Sequence, residues 1–366
     1  MNKAFLIFSG YNQRAVIAFC RVATKLNVPF HIIASSTEDT ILMTDYKDRV
    51  QAIRQEKLLE ILDIEQCLTE VRSKDPDADL VILPNSEFLN RFFLKHRLHF
   101  ISKGCILPLC EESLYIRISD KYSFGEMCRN FKLKVPSEFE FSAAIEPPFV
   151  AKPKSYFSSD KTPSPYLILC KQDWKDFLKN ENVEDFYLQE FVAGKSMYLL
   201  FFISQKGHTV QYSQENLVQQ AKGKSIILAK SATIHENKIA SIYLDMLLQE
   251  GFEGLIMIEL KQSGDTFHMI EANPRLWGPS QLFVDAGVPI FEEFIRSQGF
   301  NIEIQPSEIK ESIYFWQGGI SEDKRNGRAL AFHDFSSEKL DSQLNELVKS
   351  EVYNRSDTER IYHTEN

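Results

Sequence analysis

The chain has 366 residues, 43% of them hydrophobic and 25% charged, with 42 basic against 51 acidic side chains for a net charge of −9. This length exceeds one ordinary core and predicts two or three globular domains. The acidic balance, without a long basic run, argues against nucleic-acid and anionic-membrane partners, and no apolar stretch is long enough for a membrane helix. The opening MNKAFLIFSGYNQR carries only a short apolar run and no small-residue cleavage site, so a cytoplasmic protein is expected. Cys20, Cys67, Cys105, Cys110, Cys128 and Cys170 form no CxxC pair and are expected to be small core residues. The eight histidines form no HxH or HExxH pattern, so zinc is not expected.

Residues 5–8 predict a short strand turned by Ser9-Gly10. Val16, Phe19, Cys20 and Ala23 then recur at helical spacing, and a second strand follows Pro29. This β-α-β order implies a parallel sheet. A later strand at 80–83 stops at Pro84, and Ser86 can cap a helix carrying Phe88, Phe92 and Phe93. Residues 1–110 therefore predict a small α/β domain. The first turn lacks GxGxxG, so a dinucleotide is not expected there.

Beyond residue 110, YIRISDKYSFGEMCRNFKLKVP predicts a helix capped by Ser119 that ends before Val135-Pro136. PFVAKPKSYFSSDKTPSPY reads as a strand, a polar loop and a second extended segment, and FYLQEFVAG as a strand that leaves its pairing near Gly194. Strands are expected at 197–203 and 208–212, and a helix at 238–249 stopped by Gly251. Another helix follows Pro289, with Phe291, Phe294 and Ile295 on one face. Leu340, Leu344, Leu347 and Val348 predict an amphipathic helix capped by Ser336 or Ser337, and residues after 350 are expected to be loosely held.

The chemistry concentrates at HMIEANPRLWG, residues 268–278. Residues 255–260 and 266–272 read as strands joined through a Gly264-Asp265 turn. A hairpin folded about residue 265 sets Glu259 opposite Glu271, and alternation puts Asn273 on the face of Glu271. Opposed carboxylates repel unless a cation lies between them, and oxygen-only donors suit Mg²⁺ or Mn²⁺ completed by phosphate. A one-residue slip would separate the two acids, and a solvated hairpin with its charges paired to lysines would carry the same sequence. Lys152 follows the apolar 149–151, so its stem emerges from a buried strand toward a point-charge contact. Lys121 opens a helix.

In order, SDK, PFVAKP, YLQEFVAG, GLIMIEL and MIEANPRLWG resemble the ATP-grasp superfamily, in particular its carboxylate–amine ligases and carbamoyl-phosphate-synthase-like members, over residues 1–300. The resemblance implies α/β and α+β architecture. A pre-ATP-grasp parallel-sheet domain (1–110) would precede a two-lobed fold with antiparallel sheets, its small lobe (111–188) a nucleotide lid and its large lobe (189–300) carrying the metal. A C-terminal extension with the amphipathic helix (301–366) would follow. It further implies that Lys121 and Lys152 contact nucleotide phosphates, with Ser158 and Ser159 in the phosphate loop. Gln189, Glu190, Phe191 and Val192 would form the linker whose backbone, at Glu190 and Val192, holds adenine. Ser196 would stand near the ribose, Glu259, Glu271 and Asn273 would ligate Mg²⁺ (or Mn²⁺), and Arg275 would hold the transferred phosphate or the substrate carboxylate.

The implied reaction activates a carboxylate as an acyl phosphate at the expense of ATP and joins it to an amine, with small-molecule substrates. A homodimer stays open. Two departures stand out. The loop at 154–160 has no glycine, and Lys195-Ser196 replaces the acidic residue expected beside ribose. The glycine-poor loop favours a second reading, a nucleotide-binding regulator that has lost catalysis.

Overall fold

A computed structural model describes residues 2–141, 145–155 and 164–366. Among these, the strands form three sheets. The first contains β1 (Asn2–Phe8), β2 (Phe30–Ala34), β3 (Val50–Ile53), β4 (Ala78–Ile82) and β5 (Cys105–Ile106), all parallel in the order β3-β2-β1-β4-β5. Helices cover both faces. Phe5 and Ile7 enter one apolar core, while Ala4, Leu6 and Phe8 enter another. That double burial explains why the strands read as continuous apolar runs.

The second sheet is small and antiparallel, with β6 (Glu138–Phe139), β7 (Phe149–Pro153), β8 (Tyr166–Ile168) and β9 (Phe186–Glu190) in the order β6-β9-β7-β8. Phe149, Ala151, Ile168, Phe186 and Leu188 form its core with Phe177 of the helix Lys171–Asn180. The third sheet runs β14 (Thr266–Asn273), β13 (Gly254–Ser263), β10 (Lys195–Ile203), β11 (Thr209–Gln219), β12 (Ile226–Ser231) and β15 (Ile313–Phe315), with β16 (Ala331–Phe332) paired to β11. One face, with Leu199, Phe201, Ile256 and Ile258, packs on the helix Lys238–Gln249. The other, with Leu200, Phe202, Leu255 and Met257, joins the core beneath the first sheet. The expected fold class, mixed α/β with a parallel sheet followed by antiparallel sheets, is the one observed. No helix among the described residues is long and apolar enough to cross a membrane.

Several local expectations are corrected. Residues 115–136 hold two helices, Glu112–Ser119 and Lys121–Asn130. Ser119 ends the first rather than capping the second, because Leu114, Tyr115 and Ile118 already bury a helical stripe ahead of it. Asp120 takes the cap position, and Arg91 bonds both Ser119 Oγ, at 2.7 Å, and the Asp120 carboxylate. Cys170 is exposed, whereas the other five cysteines are buried as expected. Of the two expected cap candidates, Ser336 is the one that caps the helix Ser337–Leu347.

The tail beyond residue 350 is packed, contrary to expectation. Val352, Tyr353, Thr358 and Ile361 are buried, Asp357 pairs with Arg21 at 2.8 Å, and Trp316 Nε1 donates to Glu365 at 2.8 Å. Sparse apolar residues conceal this in the sequence, since the anchors are long-range polar contacts. Buried Glu351 accepts the backbone amides of Tyr353, Asn354 and Gln317. Burial pushes its carboxyl up to about 7, against those amides. A raised folded-state pKa favours the protonated fold, so this contribution to stability is complete below the ordinary value of 4.5 and is lost as pH rises through 7. Glu351→Gln is therefore expected to flatten the stability profile between those limits by about 3 kcal/mol, read from urea midpoints across pH.

Candidate active site

The third sheet's hairpin builds the site through an irregularity. The turn pairs Ser263 with Thr266, and Leu260 lies opposite Met269. Continued without change, that register would set Glu259 opposite Ile270. A bulge at Ile270 shifts the pairing by one residue, so Glu259 lies opposite Glu271 and Met257 opposite Asn273. The bulge also frees the Ile270 carbonyl, which accepts the Lys152 ammonium at 2.8 Å. Lys152 reaches it from β7, whose alternation sends Phe149 and Ala151 into the small sheet's core and Lys152 across to the large sheet.

Around Glu271 the contacts are dense. Lys121, the first residue of its helix, donates to Oε2, and Asn273 Nδ2 donates to Oε1 at 2.8 Å. A lysine there opposes the helix dipole, so the carboxylate beneath it supplies the compensation. Arg275 Nη2 donates to Asn273 Oδ1, and its Nη1 to the Leu276 carbonyl, both at 2.8 Å. Buried Glu259 accepts from Ser196 Oγ at 3.3 Å, Ser196 accepts from Asn216 at 3.0 Å, and Asn216 accepts from Gln214 at 2.7 Å. This polar row fixes Glu259, and Ser196 is fully buried within it.

The linker strand ends at Glu190, whose amide donates to the Ser137 carbonyl at 2.8 Å. Gln189 is buried and its Oε1 has no partner among the described residues. Phe191 and Val192 follow, half-buried. Gly194 has φ +137°, and a Cβ there would lie 2.0 Å from the Gln262 carbonyl, so only glycine lets the linker rest on β13. Ser158 and Ser159 lie outside the described residues. Trp277 is a core residue against Phe283, and burial raises the Cys105 and Cys110 thiols to about 11 and 12, which leaves them poor nucleophiles.

No protein-family model matches the chain, and no curated protein matches its sequence. Solved structures do match in fold. N5-carboxyaminoimidazole synthetase from Staphylococcus aureus aligns over 95% of this chain and 88% of its own, at 15% identity and a TM-score of 0.63. Biotin carboxylase from Campylobacter jejuni, in a β,γ-ATP complex, covers 86% and 75% at 16% identity and 0.61. The biotin carboxylase domain of Hydrogenobacter thermophilus 2-oxoglutarate carboxylase, a dimer with MgADP and bicarbonate, covers 86% and 74% at 14% and 0.61. This chain has the ATP-grasp fold.

Within the ATP-grasp fold the donor set suits a hard cation. Burial and the facing Glu271 both raise the Glu259 carboxyl above its ordinary range. Burial works in the same direction on Glu271, but Lys121, Asn273 and Arg275 outweigh it and hold that carboxyl low. A divalent ion between the two would reverse the repulsion they now share. Among the described residues no group of three His, Cys, Asp or Glu is placed to hold a metal ion, so two carboxylates and an amide are the donors on offer here. Mg²⁺ commonly takes few protein ligands and fills its other positions with phosphate and water. Burial, then the neighbouring Lys121, draws Lys152 down to about 8.

Sequence reasoning missed Asn216, Gln214 and Lys261 on this surface. Asn216 and Gln214 gave no local signal. Lys261 did, since it stands two residues from Glu259 and so shares its face. Glu215 bridges Lys195 at 3.2 Å and Lys230 at 3.1 Å.

Proposed function

We propose that this protein is an ATP- and Mg²⁺-dependent ligase that activates a substrate carboxylate as an acyl phosphate and joins it to an amine, releasing ADP and phosphate. The observation that carries the reading is the opposition of Glu259 and Glu271 across the bulge, with Lys121, Lys152 and Arg275 around them. Bound between the acids, Mg²⁺ would neutralise the phosphate tail of ATP. Asn273 would complete the ligand set. Lys121 and Lys152 would lie against phosphate oxygens, each leaving its present acceptor. Gln189 to Val192 would hold the adenine edge, with Ser196 acting through Glu259. Ser158 and Ser159 would belong to the loop above the phosphates.

A carboxylate oxygen of the acid attacks the γ-phosphorus and ADP leaves. The amine then attacks the carbonyl carbon, phosphate leaves with the C–O bond's electron pair, and the amine's proton passes to solvent or phosphate. Arg275 neutralises charge on the transferred group, and closure of the small sheet excludes water from the acyl phosphate. The partition into 1–110, 111–188, 189–300 and 301–366 belongs to the same proposal, as does a homodimer like that of the 2-oxoglutarate carboxylase domain. The test is ADP release from ATP and Mg²⁺ with pooled amino acids and small carboxylic acids, with mass analysis of products. Acceptor-dependent ADP and a condensed product are expected. Nucleotide binding without turnover on any pool would favour the regulator instead.

A further inference from the structure

Lys261 stands beside the site with no contact ion pair among the described residues, and its charge acts on Glu259 only through space. It shares the face of Glu259 on β13 and lies opposite Ser196 of β10. Its ammonium contacts His333 Nδ1 at 3.3 Å, and among the described residues no carboxylate is within ion-pair distance of it. The other ring nitrogen of His333 bonds Gln219 Oε1 at 3.1 Å. That amide oxygen can only accept, so the Nε2 carries the hydrogen and Nδ1 is left as a neutral acceptor for Lys261. The neighbouring Lys195 differs, because Glu215 and Asp334 both neutralise it. The segment after β16 thus delivers two residues to this end of the large sheet. Asp334 pairs with one lysine, while His333 orients the other and gives its ammonium a neutral partner in place of a contact carboxylate.

Position decides what this ammonium meets. If the phosphates sit at Glu259 and the base at Gln189–Val192, the sugar must lie between them. Lys261 is two residues from Glu259, about 7 Å along the strand, in the direction of the linker that rests on Gln262. The residue expected to accept ribose hydroxyls, at 196, is a serine whose hydroxyl is turned to Glu259. We propose that Lys261 binds the nucleotide's sugar, donating to its hydroxyl oxygens in place of an acidic acceptor, with His333 of the C-terminal segment as its anchor. This inference rests on the nucleotide reading above.

The test compares ADP and 2′,3′-dideoxy-ADP, each with Mg²⁺, by calorimetry on the wild type and Lys261→Met. A lost charge-assisted bond should weaken ADP about tenfold in the variant. The two proteins should bind the dideoxy nucleotide within about twofold of each other. Equal ADP affinity in both proteins overturns the proposal, and so does a penalty that persists in full with the dideoxy nucleotide. Failure of the wild type to bind ADP at all overturns the nucleotide reading with it. Circular dichroism checks the fold, and Lys261→Gln carries the same comparison if the methionine variant is unfolded.

Discussion

Glu271→Gln is expected to lower acceptor-dependent ADP release by at least about 100-fold, through loss of the cation. The substitution keeps shape and removes charge. The amide oxygen can still accept from Asn273 or Lys121, as Glu271 does now, so the thermal midpoint should move little. What changes is the field between the strands. A single carboxylate would then face Lys121, Lys152 and Arg275, and its pull on a divalent ion would be weak. Activity and Mn²⁺ affinity should fall together, with Mn²⁺ read by electron paramagnetic resonance. Unchanged Mn²⁺ affinity with activity intact would place the metal elsewhere.

Arg275→Lys is expected to separate chemistry from binding. The Arg275 guanidinium is aimed by Asn273 Oδ1 and the Leu276 carbonyl, which engage two of its five N–H groups. Lysine retains one charge but cannot hold both contacts and also present a planar fork to a phosphoryl or carboxylate group. The kcat for ADP release should drop about 100- to 1,000-fold, while the dissociation constant for MgADP stays within about threefold. A matching loss in MgADP affinity would make Arg275 a ground-state contact.

The two acids show how far sequence carries such a reading. Alternation and the Gly264-Asp265 turn were enough to place Glu259 against Glu271, yet by a simpler route than the protein takes. The sequence reading folded the hairpin about residue 265. The real turn lies half a residue earlier, and the bulge at Ile270 restores the pairing. Nothing local distinguishes Ile270 as the extra residue, because its fitness depends on a lysine 118 positions away. The α/β character of the first sheet was legible because doubly buried strands are uninterruptedly apolar. The tail and His333 were not, since both are held by distant polar partners such as Arg21 and Lys261. The loop carrying Ser158 and Ser159, glycine-poor in the sequence, lies outside the described residues.

The most direct measurement is calorimetric titration of MgADP into the wild type and the Glu259→Gln/Glu271→Gln double variant, each confirmed folded. Saturable binding at about one nucleotide per chain is expected in the wild type, weakened at least about 100-fold in the double variant. Equal binding by the two proteins, or none by the wild type, would contradict a nucleotide-bearing cation between these strands.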